Sequence, residues 1–284
     1  MSRRAQPLPD ADEAHGRLLL RRLPGWTLDR YYVYAPPGVR ADRPPLVSVH
    51  GISRNAREHA LLLAPLARRL RCLLIAPLFP AAHWRGYQRL LAGAHGRSPL
   101  EYVDAVLADA ARDYALETAR CHLLGFSGGA QFAHRYALLR APRIASLALS
   151  AAGWYTLPDP GLAWPIGIAG DLPGIDAAGH AALDELRAWL ALPMLVSVGS
   201  RDGDDRNVRH DAALDAAQGA TRCERAARFV AAVRTAALAR SLSPRVELCI
   251  LGGARHDFAD VMRRGLAARL LDWYLHEDCT HDAN

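Results

Sequence analysis

The sequence predicts an α/β fold built on a mostly parallel sheet. Three observations lead there. The chain has 284 residues, 51% hydrophobic and 23% charged. That balance fills one sizeable core and excludes a mainly disordered protein. Short apolar runs alternate with longer amphipathic stretches, as strands do when helices carry the chain between them. The longest apolar runs, 72–79 and 193–198, fall far short of the roughly 18–20 residues that a membrane helix needs. No internal repeat and no low-complexity segment interrupts the alternation.

Taken in order, residues 1–15 are polar and expected to be loose, leaving 16–284 as one domain. Residues 17–22 and 29–34 read as two antiparallel strands joined through Pro24-Gly25. Residues 46–50, after Pro44-Pro45, read as a buried strand. Residues 55–70 carry a helical pattern, with Pro65 as an expected kink or restart. Residues 72–76 form the next strand. Leu100, Val103, Leu107 and Ala110 share one face of a helix over 100–114. A strand over 122–125 leads into a helix over 128–139, then a strand over 144–149. The stretch 154–180 is rich in Gly and Pro and holds two tryptophans, which suits a loop or small lid beside a pocket. A helix over 181–190, a strand over 193–198 and an amphipathic helix over 221–241 follow. A strand over 246–251 and a closing helix over 258–275 complete the chain.

Composition narrows the function. The net charge is +6 and all 35 basic residues are arginine, yet they are scattered among 29 acids. A basic block for nucleic acid is therefore not expected. The five cysteines, Cys72, Cys121, Cys223, Cys249 and Cys279, are odd in number and contain no Cys-x-x-Cys pair. Reduced thiols are expected, with no disulfide framework and no zinc site. The basic start has no apolar stretch behind it, so no secretory signal and a cytoplasmic location are expected. The sequence carries no reading of oligomeric state.

The sharpest motif is Gly125-Phe126-Ser127-Gly128-Gly129, a G-x-S-x-G between a strand and a helix. That is the setting of a nucleophile elbow. A tight turn lifts the serine hydroxyl above the sheet, and the glycines permit close backbone approach. Ser127 is thus the candidate nucleophile. The N–H of Gly128 sits at a helix N-terminus, where a developing oxyanion gains a donor and the helix dipole. A nucleophilic serine needs a base and an acid that orients it. Two strands after the elbow end in suitable loops. His256 follows the last strand and is the candidate base. Asp202 follows the strand before it and is the candidate acid, with Asp204 and Asp205 in the same turn as rivals. Asp257 stands too close to His256 to orient it. The His50-Gly51-Ile52-Ser53 turn fits a second oxyanion donor, Ile52 first and Ser53 next, with His50 bracing the loop. His134 reads as a core residue. His50, Ser53, His83, Trp84, Phe126 and Trp154 are the remaining pocket candidates.

These residues resemble the α/β-hydrolase superfamily over about 26–275. Within it, the run from Gly125 to Phe132 is similar to small bacterial serine esterases related to polyhydroxyalkanoate depolymerases and to the dienelactone-hydrolase-like group. The chain departs from both. Secreted depolymerases usually carry a signal peptide and disulfides. Dienelactone hydrolase proper uses a cysteine nucleophile where this chain has Ser127. The resemblance implies helices on both faces of the sheet, no large cap domain, and two-step acyl transfer with no metal or organic cofactor. The implied substrate is a small-molecule ester or related acyl compound. A peptidase, thioesterase or acyltransferase would use the same triad, and a non-catalytic binding protein on this fold is the reading from another class.

Overall fold

Eight strands make one sheet in the computed structural model, which describes residues 16–170, 181–203 and 208–281. They are β1 (Arg17–Arg22), β2 (Arg30–Ala35), β3 (Leu46–Val49), β4 (Leu74–Leu78), β5 (Cys121–Phe126), β6 (Ile144–Ser150), β7 (Met194–Gly199) and β8 (Val246–Leu251). Their order is β1-β2-β4-β3-β5-β6-β7-β8. β2 runs antiparallel to both neighbours, and every other pair is parallel. The chain leaves β3 toward β4 and then returns to β5 on the opposite side. This reversal opens a crevice at the C-terminal edge of β3, the place where open α/β sheets hold their sites.

The central strands are buried on both faces, so they read as continuous apolar runs. Side chains still alternate. Val47, Ile75, Leu123, Leu147 and Val196 enter one core layer, and Leu46, Leu74, Leu124, Ala148 and Leu195 enter the other. The first layer packs under α2 (Pro99–Asp113), α3 (Gly128–Leu139), α4 (Ala181–Leu190) and α6 (Arg222–Leu238). The second packs under α1 (Ala56–Leu70) and α8 (Ala267–His281). Helices thus cover both faces, as the sequence predicts, and no cap domain stands among the described residues. α2 and α6 begin at capping boxes, Ser98 with Glu101 and Thr221 with Glu224, each satisfying two orphan N–H groups.

Four elements differ from the sequence expectation. α1 runs through Pro65 without a restart. Pro65 has no N–H for the Leu61 carbonyl one turn back, and Leu61 is an exposed residue. β4 starts two residues late. Arg71 ends α1 in a left-handed conformation (φ 54°), and the Cys72 N–H closes that turn on the Ala67 carbonyl at 3.1 Å. A short helix, α5 (Ala212–Gln218), precedes α6. The closing helix is broken. α7 (Phe258–Val261) passes into a wide turn in which Gly265 takes φ 119°, and α8 resumes beyond it. Within the expected lid, 154–170 form a loop whose first residues, Trp154, Tyr155, Thr156 and Leu157, are buried. Residues 1–15 and 171–180 lie outside the described residues.

Candidate active site

The turn between β5 and α3 is built from its glycines. A Cβ on Gly125 would lie 2.3 Å from the Gly129 carbonyl oxygen, and one on Gly129 would lie 2.0 Å from that of Val49. No side chain fits at either point, so the strand and helix meet at backbone contact. Ser127 is forced to φ 54°, ψ −118°, a conformation that costs a non-glycine residue on the order of 1–3 kcal/mol. Three backbone bonds hold it there. The Ser127 N–H donates to Ser150 O at 2.8 Å, and Ser127 O accepts from Ala130 N–H at 3.0 Å and Gln131 N–H at 3.1 Å.

The loops after β7 and β8 meet the serine from the other side. His256 Nε2 lies 2.9 Å from Ser127 Oγ, and His256 Nδ1 lies 2.8 Å from Asp202 Oδ2. Both loops are zipped together. Ser200 N–H donates to Leu251 O and Arg201 N–H to Ala254 O, both at 2.9 Å, while Gly253 N–H donates to Ser200 Oγ at 2.8 Å. Phe126 lies beneath the imidazole, stacked at 5.1 Å, so it supports His256 from below. Asp202 is buried, and its second oxygen accepts from Arg222 of α6 at 2.8 Å. The carboxylate thus has one oxygen for the imidazole and one for a buried cation.

The β3 loop closes the third side. A Cβ on Gly51 would stand 3.2 Å from Ser127 Cβ, and one on Gly128 would stand 3.5 Å from Ile52 N. The Ile52 and Gly128 amides therefore flank the serine. Ile52 itself is 49% exposed. His50 braces this loop. Its Nε2 accepts from Phe79 N–H at 3.0 Å, which leaves Nδ1 to donate to Gly51 O at 2.7 Å. Burial pushes its pKa down to about 4 and keeps it neutral. Tyr87 Oη donates to His50 O at 2.6 Å. Arg54 lies 4.5 Å over the Tyr87 ring and donates to the Phe79 and Trp84 carbonyls, both at 2.9 Å.

The remaining predicted residues lie as follows. Ser53 is exposed and donates to Asn55 Oδ1 at 2.9 Å. Trp154 is buried, with the Arg135 guanidinium 4.1 Å over its ring. His83 and Trp84 line a separate cleft with Trp26 and Asp29. His134 is a neutral core residue, donating to Ala130 O at 2.9 Å and accepting from Thr156 N–H at 2.8 Å. Burial holds its pKa well below the ordinary histidine value. Asp257 caps α7 through the Asp260 N–H at 2.7 Å. Asp204 and Asp205 lie outside the described residues. Arg222, Tyr87 and Arg54 were not legible in the sequence. Each acts across the fold, and each sits in a segment whose local pattern is ordinary helix or loop.

No family model matches the sequence, and no curated protein matches it. Solved structures do. LpqC, a poly(3-hydroxybutyrate) depolymerase from Bordetella parapertussis, is 28% identical with a TM-score of 0.72, covering 86% of this chain and 84% of that one. Poly(aspartic acid) hydrolase-1 from Sphingomonas sp. KT-1 is 20% identical with a TM-score of 0.74, covering 89% and 97%. An S-formylglutathione hydrolase from Agrobacterium tumefaciens is 15% identical with a TM-score of 0.58, covering 93% and 96%. A sheet in this order, with these neighbours, makes the chain an α/β-hydrolase that resembles the small bacterial serine esterases.

Proposed function

We propose that this hydrolase cleaves a carboxylic ester through an acyl-enzyme on Ser127, with His256 as base and Asp202 as the acid that orients it. The observation that carries the reading is the unbroken relay from Ser127 Oγ through both His256 nitrogens to a buried Asp202. Ser127 Oγ attacks the ester carbonyl carbon while its proton passes to His256 Nε2. The imidazolium formed is stabilised by Asp202 at Nδ1. The Gly128 and Ile52 N–H groups receive the oxyanion. Collapse expels the alcohol, which takes the proton from Nε2. Water then attacks the acyl group, giving its proton to Nε2, and the carboxylic acid and free Ser127 are restored.

One further point supports esters. The neighbour with the highest identity among those named is described as a depolymerase of poly(3-hydroxybutyrate), a polyester. The test is intact-mass analysis after fluorophosphonate treatment, followed by a substrate panel. One adduct is expected on the parent, none on Ser127→Ala, and a rate lowered about 10²–10⁴-fold on His256→Ala, the share of a general base. The panel holds short p-nitrophenyl esters, oligomers of 3-hydroxybutyrate, a thioester and an aspartyl amide, the last two because other neighbours are a formylglutathione hydrolase and a poly(aspartic acid) hydrolase. No adduct on folded parent protein would end the reading. An adduct with thioester or amide preferred would keep the triad and replace the substrate.

A further inference from the structure

A cleft of about 110 Å³ opens at the side of the hairpin between β1 and β2. None of Ser127, Asp202 or His256 lines it. Its walls are Trp26, Asp29, His83, Trp84, His95 and Arg97. The two indoles stack at 6.4 Å, and the Tyr102 ring packs on both, at 5.6 and 5.4 Å. The wall is therefore rigid before any ligand arrives. A water occupies about 10–15 Å³ of such space, so about seven to eleven water-sized groups fit.

The acid and the base of this cleft are not paired with each other. Asp29 is 5% exposed. One of its oxygens accepts the Trp84 indole N–H at 2.8 Å, and among the described residues no cation pairs with it. Arg97 lines the rim and commits one nitrogen to the backbone. Its guanidinium lies 4.3 Å over the Trp26 ring and donates to Gly25 O at 3.1 Å. His83 Nδ1 is buried without a hydrogen-bond partner, and His95 stands edge-on to that ring at 5.6 Å. A buried carboxylate without a cation is costly, and indole faces favour positive charge. The inner end of the cleft therefore suits an ammonium group. The rim, with Arg97, suits a carboxylate.

We infer that this cleft binds a small amino-acid-like zwitterion, its ammonium on Asp29 and its carboxylate toward Arg97. The chemistry at Ser127 plays no part in this inference. Calorimetry on the Ser127→Ala protein reads binding without turnover, and Trp26 and Trp84 give a fluorescence signal alongside it. Four probes separate the charges: glycine carries both, ethylammonium the cation, acetate the anion and glycerol neither. Glycine is expected to bind best and ethylammonium next. Asp29→Asn keeps an acceptor for the Trp84 N–H but removes the charge. It should weaken both at least tenfold, the scale of a hydrogen bond to a charged group. Arg97→Met should weaken glycine alone, and it leaves the inner wall intact should Asp29→Asn fail to fold. The inference is overturned if no probe binds at millimolar concentration, if acetate or glycerol binds best, or if both variants bind glycine as the parent does.

Discussion

Replacing Arg222 by methionine removes the guanidinium that is paired with Asp202. The pair is fully enclosed, with side-chain exposures of 2% for Arg222 and 0% for Asp202, and an N–O distance of 2.8 Å. Methionine keeps much of the aliphatic volume, so the change isolates charge from packing. Stripping the partner from a buried charge costs on the order of 3–5 kcal/mol. For a chain of this length each kcal/mol moves the thermal midpoint by about 2–4 °C, so a fall on the order of 10 °C is expected. The fluorophosphonate rate should fall as well, because the carboxylate loses the bond that fixes its plane toward His256 Nδ1.

Asp202→Asn removes the opposite charge and leaves the buried guanidinium beside a neutral amide. Each single variant breaks the Arg222–Asp202 ion pair from one side, and the double variant removes both of its charges. Denaturant unfolding of the four proteins therefore closes a cycle in which the double variant is more stable than the sum of the singles predicts. The coupling should be on the order of 2 kcal/mol. A coupling near zero, or an Arg222→Met protein that unfolds where the parent does, would refute the claim that this ion pair holds the acid in place.

Three more outcomes follow from the same geometry. His50 has a folded pKa near 4 against 6.5 when unfolded, so the unfolded chain binds the extra proton below 6.5. Stability is complete above that pH and falls toward pH 4, by about 2 kcal/mol at pH 5 from this group alone; His59 and His134, both lowered by burial, add loss of the same sign. Urea midpoints that do not change between pH 7 and pH 5 would contradict this. Gly129→Ala drives a methyl into Val49 O and should cost about 3 kcal/mol and most labelling, whereas Gly252→Ala, with nothing within 4 Å, should unfold with the parent. Thr221→Ala removes the cap of α6 and should cost about 1 kcal/mol in chemical unfolding, without changing the reactivity of Ser127.

What the sequence made legible depends on how local the physics is. The strands are apolar runs bounded by turns, and the elbow is five consecutive residues whose glycines answer contacts of 2.0 and 2.3 Å. Ser127, Asp202 and His256 could be named because each follows a strand, and a parallel sheet delivers all such loops to one edge. The break at Gly265 was hidden because the apolar spacing persists from Phe258 to Leu266 while one residue takes φ 119°. Arg222 was hidden for a different reason. Its neighbours Thr221 and Glu224 announce only a helix start, and the carboxylate it meets is 20 residues earlier in the chain. The His83-Trp84 pair lines a cleft, but not the one at Ser127: it is completed by Trp26 and Asp29, which lie some 55 residues earlier and reach it only because β2 pairs with β4.

The wetness of the proposed triad bears on which acceptor takes the acyl group. Asp202 is dry, the His256 side chain is 23% exposed, and Ile52, whose N–H is the proposed second oxyanion donor, is 49% exposed. Exposure thus rises from the acid toward the point where substrate would enter. The dry end keeps the Asp202–His256 interaction strong. The wet end lets water reach the same Nε2 that the departing alcohol has just left. An acyltransferase must keep water from its intermediate, and this gradient runs the other way. Added methanol should therefore divert acyl product only in proportion to its share of the solvent. Ester panels run with increasing methanol will measure that partition. Near-complete transfer to an alcohol at millimolar concentration would show that the described residues mislead about water access, and the reaction would be acyl transfer.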